Sequence, residues 1–464
     1  MMRFIFACLA FAYIGILGAA EPVRPMDIGN RRELFIDRFL IEKMEGTQLK
    51  LHEPQLTPAM TEPANNMEYG TVIRDGDLFR LYTRDGRGAK FDGDKSEVTR
   101  YCESKDGIHW TKPNLGLYEV DGNKNNNVIL HEKSVCHNFS PFLDTRPGVS
   151  ANERFKALAG TILRNPGGGL IAFASADGIH WRKLSDKPVM TKGAFDSQNV
   201  SFWSETEKKY VAYVRTFTAG VSTATEWRLD GLRSVSRATS DDFIHWTEPV
   251  PLNPNFPGEH IYTTLTHPYF RAPHIYIALP TRFHPGRGQS TDIMFMTARG
   301  NVPFDRTFRE AFIRPGLDPA RWGNRSNYAA LNVVPTGPTE MSIYTTPFRR
   351  FTMRTDGFAS VHGGADPGEM LTKPLLFTGK ELSLNFSTSA GGSVKLEIQD
   401  SLGKPIPGYT LEECQPLVGD SIDQTIRWKK NKDVSQLAGK AVRLRFVMQE
   451  ADLFALQFRS DKGS

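Results

Sequence analysis

The chain has 464 residues with 57 basic and 52 acidic side chains, so its net charge is +5, and these charges are not gathered in blocks. This mild balance gives no indication of nucleic-acid binding. About 440 residues remain once an N-terminal leader is set aside, and this is more than a single domain with one hydrophobic core usually contains. We therefore expect two domains or one large repeat fold with an appendage.

Residues 1–20 have the pattern of a secretory signal peptide. Arg3 precedes an apolar run from Phe4 to Leu17, and Gly18-Ala19-Ala20 supplies the small residues of a cleavage site. The run is short for a bilayer, and no later stretch approaches about 18 apolar residues. We predict cleavage after Ala20, a secreted or periplasmic protein and no membrane span. The oligomeric state does not follow from the sequence.

Three cysteines follow the leader, Cys102, Cys136 and Cys414. They are too few for a disulfide framework, and their odd number leaves at least one thiol unpaired within the chain. We expect them to be buried apolar residues rather than ligands.

One short pattern occurs three times, as SKDGIHWTKP at 104–113, SADGIHWRKL at 175–184 and SDDFIHWTEP at 240–249. Residues of alternating polarity lead into Ser-x-Asp, and Ile and Trp follow two residues apart. The Ser and Asp side chains can bond the backbone of their own turn. Each copy therefore predicts a β-hairpin.

The tryptophans of these copies share a strand face with the isoleucines, where a large ring can fill the gap against a neighbouring sheet. We predict that Trp110, Trp181 and Trp246 are each largely buried between blades. The histidines between them point the other way, and each belongs to a separate repeat. We therefore expect no metal site from His109, His180 and His245.

Two weaker copies bring the total to five, with starts at residues 104, 175, 240, 297 and 354 and spacings of 71, 65, 57 and 57 residues. This spacing suits about four strands per unit, as in a propeller blade, and is long for a helical solenoid. The sequence therefore predicts an all-β chain with a five-bladed β-propeller over residues 56–365. Strand-like segments precede the copies at 69–73 and 78–82, 139–143 and 154–159, 200–203 and 210–214, 263–270 and 274–278, and 329–334 and 341–344.

The fifth unit ends near Val361, too early for a fourth strand. The segment LFIDRFLI, Leu34–Ile41, alternates in polarity within the N-terminal stretch 21–55, and we predict that it closes the ring by pairing with the sheet of residues 341–361. The segments ELSLNFSTS, SVKLEIQD, TIRWKK and VRLRFVMQ then predict a β-sandwich over residues 366–464. That domain is either a structural prop, which we favour, or an independent sugar binder.

A five-unit propeller with Ser-x-Asp-x-x-x-Trp hairpins, followed by a β-sandwich, resembles the glycoside hydrolases of families 32, 43 and 117. The chain looks closer to a group of exported bacterial proteins described as glycosidase-like propellers, with which it shares HNFSPFLDT, FDSQN, EHIYT and RAPHIYI. The resemblance covers residues 60–459 in architecture. It implies hydrolysis of an O-glycosyl bond in a carbohydrate substrate, by carboxylates that ring a central funnel, without a metal ion or cofactor.

The starts of the predicted inner strands supply the candidate site residues. Hydrolysis needs one carboxyl group to protonate the leaving oxygen and another to activate water or attack the sugar. The candidates for these two roles are Glu68, Asp196 and Glu259. Polar neighbours would hold sugar hydroxyls or acidic substituents, namely His137, Asn138, Gln198, Asn199, His260, Tyr262, Arg325 and Asn327.

The surroundings of these carboxylates suggest separate roles. Asp196 is followed by the donors of Gln198 and Asn199, which favour its charged form and suit a base or nucleophile. Glu259, which precedes His260 and Tyr262, suits the acid, and Glu68 can replace either.

Two positions depart from the family pattern. Glu68 stands where related enzymes carry an aspartate, and Asn138 stands where they carry the aspartate that tunes the pKa of the acid. Asp144 is interpreted as the cap of the turn before Pro147.

Two functions stay open: an exported hydrolase of an oligo- or polysaccharide, and a non-catalytic propeller that binds carbohydrate or a partner protein. Two carboxylates about 5 to 10 Å apart across the funnel favour the first. A lone carboxylate among amides favours the second.

Overall fold

The structure is a computed structural model that describes residues 24–57, 68–161, 169–223, 226–323, 325–429 and 431–460. The predicted leader, residues 1–20, lies outside these ranges. The described chain is all-β, as predicted, with 34 strands and three short 3-10 helices at Ala151–Glu153, Pro319–Trp322 and Ser435–Leu437. Within the described part of the chain, no helix has the length and apolarity needed to cross a bilayer.

Five short strands come first, and they divide between two sheets. They are β1 (Met26–Gly29), β2 (Arg32–Leu34), β3 (Ile41–Glu45), β4 (Thr47–Leu51) and β5 (Gln55–Leu56). The first four join a large sheet formed mainly by the C-terminal part of the chain, whereas β5 joins the sheet of the fifth repeat.

The first three repeats each form one antiparallel sheet from consecutive strands. The first consists of β6 (Glu68–Asp75), β7 (Leu78–Asp85), β8 (Val98–Ser104), β9 (Trp110–Thr111) and β10 (Val128–Leu130). The second consists of β11 (Ser140–Leu143), β12 (Phe155–Ala159), β13 (Ile171–Ser175) and β14 (Arg182–Lys183). The third consists of β15 (Val200–Ser204), β16 (Lys209–Ser222), β17 (Trp227–Ser240) and β18 (Val250–Pro251).

The fourth repeat is divided between two sheets. Its strands are β19 (His260–Thr263), β20 (His267–Tyr269), β21 (Ala272–Ala278), β22 (Thr281–His284), β23 (Ser290–Ile293) and β24 (Met296–Ala298). They pair in the orders β19-β22-β23 and β20-β21-β24. The fifth repeat consists of β25 (Tyr328–Ala329), β26 (Val334–Pro335), β27 (Glu340–Thr346) and β28 (Arg349–Arg354), with β5 paired to β28.

All ten strand-like segments predicted ahead of the repeats are confirmed as strands, but two of them are interrupted. Segment 263–270 is broken between β19 and β20, and segment 329–334 between β25 and β26. Leu265 and Asn332 lie inside these breaks with φ of 50° and 78°. A left-handed residue takes the backbone out of the strand conformation, so pairing stops there.

A strand from the N-terminal side completes the fifth sheet, as expected. The prediction that Leu34–Ile41 is this strand is wrong. Leu56 of β5 lies opposite Phe351 in β28, while Leu34 pairs with Ala455 and Ile41 with Thr372 in the large sheet. Segment 34–41 lies between two hydrophobic cores, and its apolar side chains are buried on both sides. An outer strand of a repeat would expose one of these faces.

The large sheet has ten strands from both ends of the chain. Besides β1 to β4 it contains β29 (Ala359–Gly363), β30 (Gly368–Thr372), β31 (Leu375–Phe377), β32 (Glu381–Asp400), β33 (Asp420–Thr425) and β34 (Val442–Arg459). The long strand β34 pairs with β2 and with β29 to β32. None of the sheets in the described ranges closes on itself.

A buried aspartate ties the large sheet to the repeats. The carboxylate of Asp356 is fully buried and accepts hydrogen bonds from Arg32 (3.3 Å), Arg271 (2.6 Å), the Tyr269 hydroxyl (2.8 Å) and the Asn385 amide (3.0 Å). These donors come from β2, from the β20–β21 turn, from β20 and from β32. The two parts of the molecule are therefore held together by a paired charge.

The repeated ten-residue pattern forms the same hairpin turn in all three copies. In the first, Ser104 Oγ accepts from Gly107 N–H at 2.9 Å, and Asp106 Oδ1 accepts from the N–H groups of Ile108 and His109 at 2.8 Å. The other two copies make the same bonds. The predicted hairpins are confirmed, and the Ser and Asp side chains are turn residues.

The tryptophans of these hairpins differ in burial. Trp110 is 4 % exposed and lies against Tyr344 and Phe348 of the fifth repeat, at 5.8 and 6.2 Å between ring centroids. Trp181 and Trp246 are half-buried. Burial between repeats is therefore confirmed for Trp110, and the other two tryptophans are partly buried against the hydrophobic cores.

Cys102, Cys136 and Cys414 are buried in the structure, as expected.

Strands β6, β11, β15, β20 and β26, one from each repeat, surround a cavity of about 390 Å³. Strand β6 adjoins β11, β11 adjoins β15, β15 adjoins β20, and both β25 and β26 adjoin β6. Between the fourth and fifth repeats, Val333 N–H donates to His267 Nε2 at 3.1 Å. Each repeat contributes at least one apolar lining residue, and these include Val72, Phe142, Phe202, Tyr269 and Val334.

His267 at this cavity predicts a pH-dependent stability. Its Nδ1 donates to the Leu265 carbonyl and its Nε2 accepts from Val333, so both nitrogens are used by the neutral ring. Burial lowers the pKa of His267 to about 4. The unfolded chain binds the proton below about 6.5, and the folded chain does not until about 4. The free energy of unfolding should therefore fall by about 3 kcal/mol as the pH drops from 6.5 to 4.

Urea unfolding at several pH values measures this slope. His267→Gln keeps a donor and an acceptor but does not titrate, so most of the slope should disappear in this variant. The exposed His109→Gln is the matched control and should keep it. An unchanged slope in His267→Gln would contradict the assignment.

Candidate functional site

Four aromatic side chains from the first, fourth and fifth repeats meet near the starts of β6, β19 and β25, and none of them lines the cavity. Tyr69, Tyr262, Phe283 and Tyr328, here called the tyrosine cluster, are contributed by β6, β19, β22 and β25. Ring centroids lie 6.0 Å apart for Tyr69 and Tyr328, 5.7 Å for Tyr262 and Tyr328, and 5.6 Å for Tyr262 and Phe283, all edge to face. This geometry is favourable for aromatic rings, and it forms a nearly buried aromatic floor.

Four arginines surround the tyrosine cluster. Arg84 lies 5.9 Å from the centroid of Tyr69, and Arg215 and Arg233 lie 5.3 and 5.1 Å from that of Tyr262. Arg325 Nη1 donates to the Tyr262 hydroxyl at 3.4 Å. Guanidinium groups over aromatic faces are attracted by the ring quadrupole.

These positive charges make the pKa values of the three phenols differ. Burial raises the pKa of Tyr262, but Arg215 and Arg325 outweigh burial and lower the pKa below the usual value. Burial raises the pKa of Tyr69 and of Tyr328. Neighbouring titratable groups whose pKa values are pushed apart are typical of functional sites.

Two of the predicted carboxylates lie at this cluster. Glu68 accepts from Arg84 at 3.0 Å, and Asp196 forms an ion pair with Arg215. Their side chains are 41 % and 27 % exposed, so both can be reached from solvent.

The predicted residue His137 lies behind Glu68. Arg84 also holds the buried Glu97 at 2.7 Å, and Glu97 accepts from His137 at 3.1 Å. The His137 ring in turn lies 5.6 Å from that of Tyr69. His137 is 1% exposed and packs against the Tyr69 ring from the buried side of the tyrosine cluster.

Glu259 lies in a different environment. Its carboxylate accepts from Arg306 at 2.9 and 3.0 Å and from Phe256 N–H at 3.1 Å. Burial opposes ionisation, but the Arg306 and Phe256 hydrogen bonds outweigh it and lower the pKa of Glu259. The Glu259 side chain is 9% exposed, against 41% for Glu68, so Glu259 is less accessible to a substrate. The neighbouring His260 lies beside the floor, 6.0 Å from the Phe283 ring.

The four predicted amides are buried and bonded within the chain. Asn138 donates to the carbonyls of Gly160 and Ser197, and Asn199 donates to Ser197 and accepts from Arg215 N–H. Gln198 donates to Gly70 O at 3.1 Å, across the centre of the repeats. Asn327 donates to Thr291 O and accepts from Arg321 Nε. They fix the strand starts around the site, and their substrate-binding role stays a prediction.

Several site residues were not predicted from the sequence. Tyr69 and Tyr328 directly follow the predicted positions Glu68 and Asn327, and successive strand residues point to opposite faces. Arg84, Arg215 and Arg233 lie on second and third strands, which the prediction did not consider. The one available signal was an arginine after a buried apolar run, as in YVAYVR at 210–215.

Two site residues adopt left-handed backbone. Tyr69 has φ of 50° and Arg325 has φ of 56°. Such conformations cost about 1 to 3 kcal/mol for residues other than glycine and cluster at functional sites. They turn both side chains towards Tyr262 and Tyr328 instead of along the regular strand.

No protein-family profile and no curated protein sequence matches the chain. Similar solved structures include a glycoside hydrolase family 43 arabinoxylan arabinofuranohydrolase from Bacillus subtilis, with 13% identity over 86% of this chain and 96% of that one, at a TM-score of 0.38. A glycosyl hydrolase from Bacteroides ovatus shows 14% identity over 70% and 92%, at 0.40. An N-acetylgalactosamine deacetylase from F. plautii shows 13% over 87% and 95%, at 0.44.

Many of the similar structures are thus glycoside hydrolases, in line with the resemblance found in the sequence. At TM-scores below 0.5 the likeness does not assign an activity to this chain.

Proposed function

We propose that this chain is an exported glycoside hydrolase that cleaves an oligo- or polysaccharide at the tyrosine cluster. The observation that carries the proposal is the pair Glu68 and Asp196. Both carboxylates are partly exposed, and they are held by different arginines beside the same aromatic floor.

The proposed architecture is a five-bladed propeller with a C-terminal β-sandwich. In support, one strand from each of the five repeats lines one cavity, and these strands adjoin one another in sequence. Equivalent positions of propeller blades converge on one axis, and the tyrosine cluster brings together residues of the first, fourth and fifth repeats. The sandwich would include β1 to β4 and β29 as well as residues 366–464, because these strands share its sheet.

The chemistry follows from the two carboxylates. Asp196, which is paired with Arg215, acts as base or nucleophile, and Glu68 delivers the proton to the leaving oxygen. The aromatic floor packs against the apolar face of a sugar ring. His260, Tyr262 and Arg325 border this floor and bind the polar groups of the sugar.

The test is turnover by the purified full chain on a panel of neutral, uronic and sulfated oligosaccharides, measured as release of reducing ends. Asp196→Asn and Glu68→Gln should each lower turnover by about a hundredfold or more, since each removes a proton-transfer or nucleophilic group. Thermal melting should show little change in folding.

Glu248→Gln, at an exposed carboxylate paired with Lys192, is the matched control and should keep full turnover. Glu259→Gln decides between two acids: a hundredfold loss there, with near-normal turnover in Glu68→Gln, would give the role to Glu259. Near-normal turnover in both Asp196→Asn and Glu68→Gln would contradict the roles proposed for these carboxylates. Binding without turnover by the parent chain on the whole panel would favour a non-catalytic carbohydrate-binding propeller.

A further inference from the structure

The charges around the tyrosine cluster do not balance. Arg84 is shared by Glu68 and Glu97, and Arg215 is paired with Asp196. Arg233 and Arg325 have no carboxylate within 4.0 Å in the ranges that the structure describes, because neither takes part in any ion pair there. Two of the four guanidinium groups therefore have no paired carboxylate, and the four arginines face three carboxylates, which leaves an excess of one positive charge.

Arg233 is held by ring faces and makes no side-chain hydrogen bond to a described residue. Its guanidinium carbon lies 4.8 Å from the centroid of Phe283, 5.1 Å from that of Tyr262 and 5.5 Å from that of Phe217. Its Nε is buried and has no acceptor in the described chain. The Arg233 side chain as a whole is only half-buried, and its two Nη groups make no hydrogen bond to a described residue, so these groups are available to a ligand.

Arg325 approaches the same phenol from its hydroxyl end. Its side chain is exposed, and its one hydrogen bond to a described side chain is the 3.4 Å contact to Tyr262. Arg215, on the other face, has its pKa lowered by burial and by the positive charge of Arg233. Three positive groups thus surround one ring, and only one of them has a counterion.

We propose that Arg233 and Arg325 bind an anionic substituent of the sugar, a uronate carboxylate or a sulfate ester, beside Tyr262. The guanidinium fork matches the two oxygens of either group and can bind them with paired hydrogen bonds. The anion supplies the missing negative charge and the missing acceptor together. This inference rests on the proposed carbohydrate site and narrows its substrate to acidic saccharides.

The experiment is calorimetric binding of matched oligosaccharides, each backbone being offered in neutral, uronic-acid and sulfate-ester forms. The set includes galactotriose, trigalacturonate and sulfated galactotriose, with corresponding sets on glucose and xylose backbones. An acidic member should bind at least about tenfold more tightly than its neutral counterpart, and added salt should reduce the difference. Comparison of the affinities for the uronic-acid and sulfate-ester forms shows which anion is bound.

Arg325→Gln and Arg233→Gln should each remove most of the tenfold preference, because glutamine lacks the positive charge that distinguishes the acidic sugar from its neutral counterpart. Arg325 is exposed, so this variant remains informative if Arg233→Gln fails to fold. Arg228→Gln is the matched control, since Arg228 lies on the same strand and is 67% exposed beside Glu226.

The outcomes separate this inference from the proposed hydrolysis. Acidic preference without cleavage supports the inference and contradicts the hydrolase. Cleavage of neutral sugars without any acidic preference, or an unchanged preference in both arginine variants, overturns the inference and leaves the hydrolase. Failure of the whole panel to bind contradicts both.

Discussion

Trp110→Ala should lower the free energy of unfolding by about 3 to 5 kcal/mol, as for other buried aromatic side chains. The ring is 4 % exposed, lies against Tyr344 and Phe348, and donates from Nε1 to Gly107 O at 3.2 Å. Its removal leaves a cavity between the first and fifth repeats, and the backbone turn around it cannot collapse without breaking its own hydrogen bonds. Urea unfolding followed by fluorescence or circular dichroism measures the change.

The chain offers two matched controls for this variant. Trp181 and Trp246 occupy the same hairpin position and make the same turn bond, but they are half-buried. Trp181→Ala and Trp246→Ala should therefore cost clearly less, because less contact area is lost. Equal losses in all three variants would show that the turn, and not packing between repeats, sets the cost.

Asp144→Asn should destabilise the chain by about 3 to 5 kcal/mol, because it leaves a buried charge without its partner. Lys156 Nζ lies 2.7 Å from Asp144 Oδ2, and the two side chains are 1% and 0% exposed. The Tyr210 hydroxyl donates to the same oxygen at 2.6 Å and joins the second repeat to the third. Urea unfolding at neutral pH tests the loss.

Lys156 has a second carboxylate neighbour, Glu153 at 3.3 Å, which is partly exposed. Glu153→Gln is the control and should cost less than about 1 kcal/mol, since exposed pairs contribute little. The double variant Asp144→Asn with Lys156→Met should recover part of the stability, because no buried charge is then left. A double variant as unstable as Asp144→Asn would contradict the ion-pair explanation.

The other carboxylate oxygen of Asp144 confirms its interpretation as a turn residue. Its Oδ1 accepts from Arg146 N–H at 2.9 Å, the bond expected before Pro147. The sequence did not reveal that Oδ2 binds Lys156 and Tyr210, because Tyr210 is 66 residues away along the chain.

The sequence by itself determined the features whose interactions are local. The hairpin turns were predictable because each Ser and Asp bonds backbone groups two or three residues away. Strand positions were predictable because alternation along one segment reports burial on one face. The breaks inside segments 263–270 and 329–334 were not predicted, because a leucine or asparagine with left-handed backbone does not change the alternation of polarity.

Only the tertiary structure decided which segments and side chains meet. Segments 34–41 and 55–56 both precede the repeats, and either could have paired with β28. Segment 34–41 is enclosed by two hydrophobic cores, so segment 55–56 pairs with β28 instead. The tyrosine cluster and its arginines come from the first, third, fourth and fifth repeats, with many tens of residues between them. A carboxylate such as Glu259 or Asp196 takes its role from the arginine that folding brings to it. Such long-range pairings depend on the packing of whole sheets, which no local pattern in the sequence records.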